Sequence, residues 1–277
     1  MERFRFIDAH VHTAFSTGDC KEPMESYLAL LRNGTARGVG FADHIHPITE
    51  SFKQTYPGYE PKIFDDRGYD ALIHAAREEG LRVYKGIEVS YEWEYDQICR
   101  ERVEQSEYDY VIGSAHSYGG LWVTRTYWQN LVPGTAFREI VQQYHAALID
   151  TLQADWLDVV GHIGVYKRFL PDNDLLIRCA QDVIRECEDE AARACAQSGK
   201  IVEVNTSGLT APGGRTMPDA FFLERFRHYG GDRVCLSSDA HAVEKLNQKF
   251  DEAAGMLKNL GFTHLTYPWA PEEKELL

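Results

Sequence analysis

Strand-like and helix-like runs alternate along this chain with a regularity that leaves few folds open. Extended apolar runs occupy 4–12, 39–44, 81–90, 108–116, 157–163, 200–206 and 233–241. Helix-like runs lie between and after them, at 23–35, 65–79, 95–106, 136–153, 174–198, 218–228 and 242–259. Such alternation implies parallel strands joined by helical crossovers. Seven units without a long linker, in 277 residues, predict an α/β fold: a closed or nearly closed (β/α)7 barrel forming one domain over 1–277. The stretch 262–267 is either an eighth strand or a tail. Gly38, Gly80, Gly199 and Gly261 are expected helix C-caps, and Pro23 and Pro218 are expected in first helical turns.

Metal-capable side chains collect at the ends of these strands, where barrels build their sites from the following loops. His10 and His12 end the first strand, Asp43 and His44 the second, and Glu88 the third. His116, His162 and the pair Asp239 and His241 follow, so six of the eleven histidines occupy strand ends. Within His10-x-His12 and Asp239-x-His241 the spacing of two aims both side chains at one face of a strand. A single histidine at a strand end is an ordinary core or surface residue. Six in equivalent positions, with carboxylates among them, read as ligands for zinc, iron or manganese. Asp43 and His44 are adjacent and point to opposite faces, so His44 is the expected ligand and Asp43 a supporting group or proton carrier. Asp8 shares the parity of His10 and His12 and is a second supporting candidate. His74, His145, His228 and His264 keep solvated or structural readings, and His46 is close enough in sequence to contact substrate.

Composition narrows the function. A net charge of −14 argues against nucleic acid as a partner. No apolar run reaches the roughly 20 residues needed to span a bilayer, and the first five residues lead straight into the first motif. Both features predict a cytoplasmic chain without a membrane partner. The six cysteines show no C-x-x-C pair and are expected to be reduced and structural; Cys20 is the one beside a candidate ligand, Asp19.

Taken in order, these motifs resemble the PHP (polymerase and histidinol phosphatase) superfamily, over nearly the whole chain from Asp8 to about Glu252. Within it the chain resembles the stand-alone histidinol-phosphate phosphatases. The marks are Gly161-His162 followed by Lys167-Arg168, the stretch Glu203 to Leu209, and Ser238-Asp239-Ala240-His241. The resemblance implies a distorted TIM-like barrel and three divalent metal ions. His10, His12, Glu88 and Asp239 would hold the first, Glu88 with His116 and His162 the second, and His44, His241 and Asp19 the third. Asp19 ends a segment one residue longer than the usual spacing. Three divalent ions against three carboxylates leave the ligand set at roughly +3, which attracts a phosphate despite the acidic chain. The implied reaction is hydrolysis of a small phosphomonoester, with L-histidinol phosphate the leading substrate. Arg168 would clamp phosphate oxygens, and Asp43 or His241 would protonate the leaving alkoxide. An arginine that the family phosphatases carry directly after Ser-Gly-Leu is Thr210 here, and Arg215 is the expected substitute from the same loop. Tyr118, Trp122 and Arg125 are candidates for a pocket wall.

Four alternatives are weighed against this reading. A PHP phosphoesterase for a nucleotide or sugar phosphate would share every ligand. An amidohydrolase-type barrel also starts with His-x-His, but commonly has a bridging carboxylated lysine where Glu88 stands. A non-catalytic module would have lost ligands, and a polymerase-associated module would be followed by polymerase sequence.

Overall fold

The computed structural model describes residues 4–16, 19–56, 64–123 and 135–277. Seven parallel strands form one sheet, with β1 (Asp8–Val11), β2 (Val39–Ile45), β3 (Val83–Ser90) and β4 (Tyr110–Ser114) followed by β7 (Val159–Val160), β8 (Ile201–Asn205) and β9 (Val234–Ser237). Spatial order follows chain order, so each crossover advances one strand around a barrel. The ring is nearly closed. An isolated parallel bridge joins Val11 to Ala240, and the amide of His12 donates to the carbonyl of Ala240 at 2.9 Å. The crossovers carry α1 (Met24–Arg32), α2 (Glu50–Thr55), α3 (Asp66–Glu78), α4 (Asp96–Val103), α5 (Thr135–Thr151), α6 (Leu175–Ser198) and α7 (Ala220–His228), and α8 (Phe250–Asn259) follows β9.

Apolar side chains divide between the barrel interior and the sheet–helix interface. Phe41, Ile87 and Val89 pack outward on Tyr27, Leu28, Tyr69 and Ile73. Val202, Val204 and Leu236 do the same against Phe222, Phe226 and Leu257. Ala9, Ala42, Ile112, Val159, Ile201 and Cys235 form the interior with Tyr110. Tyr110 fills the floor, donating its hydroxyl to the carbonyl of Ala9 at 2.7 Å. Gly86 and Gly40 make room for it, since a Cβ there would lie 2.3 and 2.4 Å from its ring and hydroxyl. Below it, Trp269 stacks on Tyr84 with centroids 3.8 Å apart.

Several expected boundaries move for local reasons. The run 262–267 is neither an eighth barrel strand nor a tail: β10 (His264–Tyr267) pairs antiparallel with β11 (Ala270–Leu276) in a separate hairpin. The last helix begins at Phe250 rather than 242, because Asn247 and Lys249 adopt left-handed φ of 56° and 60°. Pro218 follows a cis peptide bond and precedes the Asp219 cap of α7, and Pro23 is the cap residue of α1. Gly38 caps nothing, since α1 ends at Arg32 and the left-handed residue after it is Gly34. The connection 117–135 contains a small hairpin, β5 (Ser117–Tyr118) and β6 (Leu121–Trp122).

Placing a methyl group at Gly86 forces it against a tethered ring, and overpacking of this kind costs about 1–3 kcal/mol. Gly86→Ala should lower the melting temperature by roughly 5 °C, at about 2–4 °C per kcal/mol for a chain of this size. An unchanged melting temperature by calorimetry would show that Tyr110 does not fill the floor as described.

Candidate metal centre

The parallel register places His44 on β2 directly beside Glu88 on β3. Period-two alternation turns both inward with Ala42, Gly86 and Ser90, while Asp43 faces the other way. Glu88 is fully buried, and imidazole nitrogens surround its carboxylate. His44 Nδ1 lies 2.5 Å and His10 Nε2 3.3 Å from Oε2, with His12 Nε2 at 3.7 Å. His162 Nε2 and His116 Nε2 lie 2.8 and 3.1 Å from Oε1. Burial opposes ionisation of Glu88, but His44, His116 and His10 hold it well below the usual carboxylate range.

Around this carboxylate the ligand atoms fall into overlapping groups: His10, His12 and Asp239; His44, Glu88 and His116; and His12, His44 and His241. Asp239 Oδ1 is 3.1 Å from His12 Nε2, and Asp19 Oδ2 lies 3.0 Å from His44 Nε2 and 3.4 Å from His241 Nε2. All nine expected ligands therefore come together. Thr17 and Gly18, in the segment leading to Asp19, lie outside the described residues.

The donor set suits divalent cations. His10 Nε2, His12 Nε2, His44 Nδ1 and Glu88 Oε2 are buried yet make no hydrogen bond, although the three nitrogens approach that oxygen. His116 Nε2 and His162 Nε2 face each other at 3.1 Å. Inward-turned imidazole nitrogens and carboxylates without other partners are what a bound zinc, iron or manganese ion satisfies. This cluster is a candidate metal site.

Supporting groups fix the imidazoles from behind. Glu203 on β8 lies 2.5 Å from His10 Nδ1, and its other oxygen accepts from the amide of His162. Ser90 Oγ is 2.7 Å from His116 Nδ1, and Ser16 Oγ is 3.1 Å from His12 Nδ1. Glu203 and Ser90 were legible only as parity: each shares its strand's inward face with interior or ligand residues.

The two doublets are built differently from regular strand pairs. A bulge lies between Asp8 and Val11, where three residues of β1 span two of β2, so parity counted from Asp8 fails beyond it. Asp8 accepts from the amides of Ser238 and Asn247 at 2.9 and 3.0 Å and of His10 at 3.3 Å, so it supports the cluster through main chain and joins the chain's start to the loop after β9. Burial pushes its pKa up to about 6 despite those donors. Asp239 and His241 lie past the end of β9, and Asp239 has a left-handed φ of 51°. His241 Nδ1 is 2.9 Å from the Asp239 carbonyl oxygen, so a turn, not a pleat, brings this doublet together.

An open cleft of about 610 Å³ leads to the cluster, lined among others by Asp19, Arg168, Asp239, His241 and Lys245. Arg168 Nη1 stands 3.6 Å from Asp239 Oδ2. Arg215 does not line this cleft: its Nη1 donates to the carbonyls of Lys167 and Leu170 at 3.1 and 2.9 Å. Asp43 is fully buried, accepting from the amide and hydroxyl of Thr13 at 2.6 and 2.7 Å and from Ser16 Oγ at 2.5 Å. Tyr118 donates to the carbonyl of Ile140, and Trp122 packs on Tyr56. Arg125 lies outside the described residues. Cys20 donates its thiol to the His241 carbonyl at 3.3 Å, and burial raises its pKa to about 11.

Histidines and carboxylates gathered at the strand-end mouth of a parallel barrel define a metal-dependent hydrolase architecture. The chain belongs to the PHP domain family, which matches residues 8–207. It is 25% identical over 258 residues to a Clostridium acetobutylicum protein named "Probable histidinol-phosphatase", covering 91% of this chain and 93% of that one. It is 23% identical over 268 residues to the histidinol-phosphatase of Lactococcus lactis, covering 94% and 93%. The structure of histidinol phosphate phosphatase from Lactococcus lactis, complexed with zinc, L-histidinol and phosphate, matches with a TM-score of 0.79. That match is 22% identical and covers 96% of this chain and 98% of the other, so the fold is shared throughout.

Because second partners of ligating imidazoles tune metal affinity about 10–100-fold, Glu203→Gln should weaken metal binding by that order. Titration of the metal-free protein by calorimetry measures it. An unaltered affinity would remove Glu203 from the site.

Proposed function

We propose that this protein hydrolyses L-histidinol phosphate to L-histidinol and phosphate, a step of histidine biosynthesis. The observation that carries this reading is the open cleft beside the ligand cluster, with Arg168 on its wall, in a chain that covers its histidinol-phosphatase relatives almost end to end. Three divalent ions are assigned to the cluster: one to His10, His12, Glu88 and Asp239, a second to Glu88, His116 and His162, and a third to His44, His241 and Asp19. Bound there, such ions supply Lewis acidity toward phosphoryl oxygens and acidify water.

The chain's own residues do the rest. Arg168 presents a planar fork of donors to the phosphoryl oxygens from the Asp239 side. Lys245, exposed on the same wall, adds positive charge to the cleft. Of the two candidate proton donors, His241 lines the cleft and Asp43 does not. His241 Nδ1 faces the Asp239 carbonyl and Nε2 faces Asp19, so Nε2 is its metal-donor atom, and the departing alkoxide takes its proton from solvent in the cleft. Asp43 reaches the cluster only through Ser16, whose hydroxyl contacts both Asp43 and His12 Nδ1.

Phosphate release from L-histidinol phosphate, measured beside sugar phosphates and nucleotides after metal reconstitution, should favour the histidinol ester strongly. Equal rates across the panel would remove this substrate and leave a PHP phosphoesterase of another specificity. Chelation should abolish activity, and elemental analysis of the reconstituted protein should find three ions per chain; fewer than two refutes the three-ion assignment. Losing a charge-assisted hydrogen bond costs about 1.5–3 kcal/mol, so Arg168→Ala should raise KM by roughly 10–100-fold.

A further inference from the structure

Arg168 sits on a short turn, and that turn is held by a buried polar frame outside the metal cluster. Val165–Lys167 form one turn of 3-10 helix after Gly164. Lys167 is 4% exposed, and its ammonium points away from the cleft into the core. There it donates to Asp219 Oδ2 at 2.7 Å and to Glu188. Glu188 is 2% exposed on α6, and Asp219 is the N-cap of α7, accepting from the amide of Phe222 at 3.2 Å. One side chain thus ties the turn to two helices.

The main chain of the same turn is gripped separately. Arg215 Nη1 donates to the carbonyls of Lys167 and Leu170, and the amide of Gly213 donates to the carbonyl of Arg168 at 2.8 Å. Gly213 has no room for a side chain, because a Cβ would lie 2.6 Å from the carbonyl oxygens of both Lys167 and Arg168. The residue before Arg168 is therefore fixed by its side chain, and Arg168 itself by its carbonyl.

A buried ion pair adds little net stability over a well-packed apolar group, because desolvating the charges offsets their attraction. Two carboxylates around one buried lysine make stability an even weaker explanation. What the arrangement supplies is a fixed backbone from which the Arg168 side chain extends, with its Nη1 3.6 Å from Asp239, and preorganised donors bind an anion at a lower ordering cost. We propose that Lys167, with Glu188, Asp219 and Arg215, is a positioning frame that sets Arg168 for the phosphoryl group. The inference rests on the phosphatase reading and deepens it, and it gives Arg215 a role through Arg168 in place of direct substrate contact.

The test is a double-mutant cycle on the full-length, metal-loaded chain, read by the inhibition constant of inorganic phosphate and by KM against kcat. Lys167→Met alone leaves two carboxylates unpaired and can prevent folding, so the charge-reduced pair K167M/E188Q and the separate variant Arg215→Met carry the measurement. Each should raise the phosphate inhibition constant and KM about tenfold, with bound metal unchanged and kcat moved much less. In an R168A background neither should add a further effect. Equal fold-changes with and without Arg168 would show a merely structural role and overturn the inference, as would folded variants with unaltered phosphate binding. A phosphate inhibition constant indifferent to R168A alone would remove Arg168 from the phosphate site, and the frame's purpose with it.

Discussion

One fully buried carboxylate organises the centre of this molecule. Glu88 lies among the imidazoles of His10, His12, His44, His116 and His162, all within 3.7 Å. An isolated ionised carboxylate in such a position is prohibitively costly, so its surroundings must supply positive charge. Every strand that delivers an imidazole must therefore end at the same height. The parallel register of β1 through β7 achieves this, with His44 beside Glu88 as its tightest expression. The floor of the barrel answers the same requirement. Tyr110 and the Trp269 hairpin fill the space beneath.

Local and global charge have opposite signs. The chain carries −14 overall, yet its cleft is lined by Arg168, Lys245 and a cluster built to concentrate cations. Field at a site depends on the nearest charges and on what solvent screens, not on the sum over a surface. An anionic substrate is compatible with an acidic protein for that reason. The acidic residues that dominate the total lie largely in exposed positions such as Glu78, Asp155 and Glu273.

Much of the barrel, and the histidines and carboxylates that gather at its mouth, was readable from the chain itself. Repeated alternation of apolar runs, and histidines returning at the same point in successive units, need no tertiary information to interpret. The supporting groups were harder to read. Glu203, Ser90 and Ser16 are ordinary residues whose meaning depends on which imidazole they meet, and those meetings span up to 193 positions. Asp8 supports the cluster through amides and not from the shared face that counting by twos implies, because a bulge in β1 breaks that parity. Arg215 was assigned to substrate by loop membership, whereas carbonyls of the neighbouring 167–170 turn capture it.

The amino-acid sequence alone determined the alternating architecture, the chemical identity of the clustered side chains and their order around the ring. These follow from side-chain type and from periods of two and 3.6, which are local properties. Only the tertiary structure decided how the ligands divide into groups, that Asp239 and His241 meet through a left-handed turn, and which arginine faces the cleft. Those depend on barrel closure between β1 and the chain after β9, and on contacts between loops distant in sequence. A single φ of 51° at Asp239 or one inserted residue in β1 re-aims a side chain, and no local pattern in the chain encodes either.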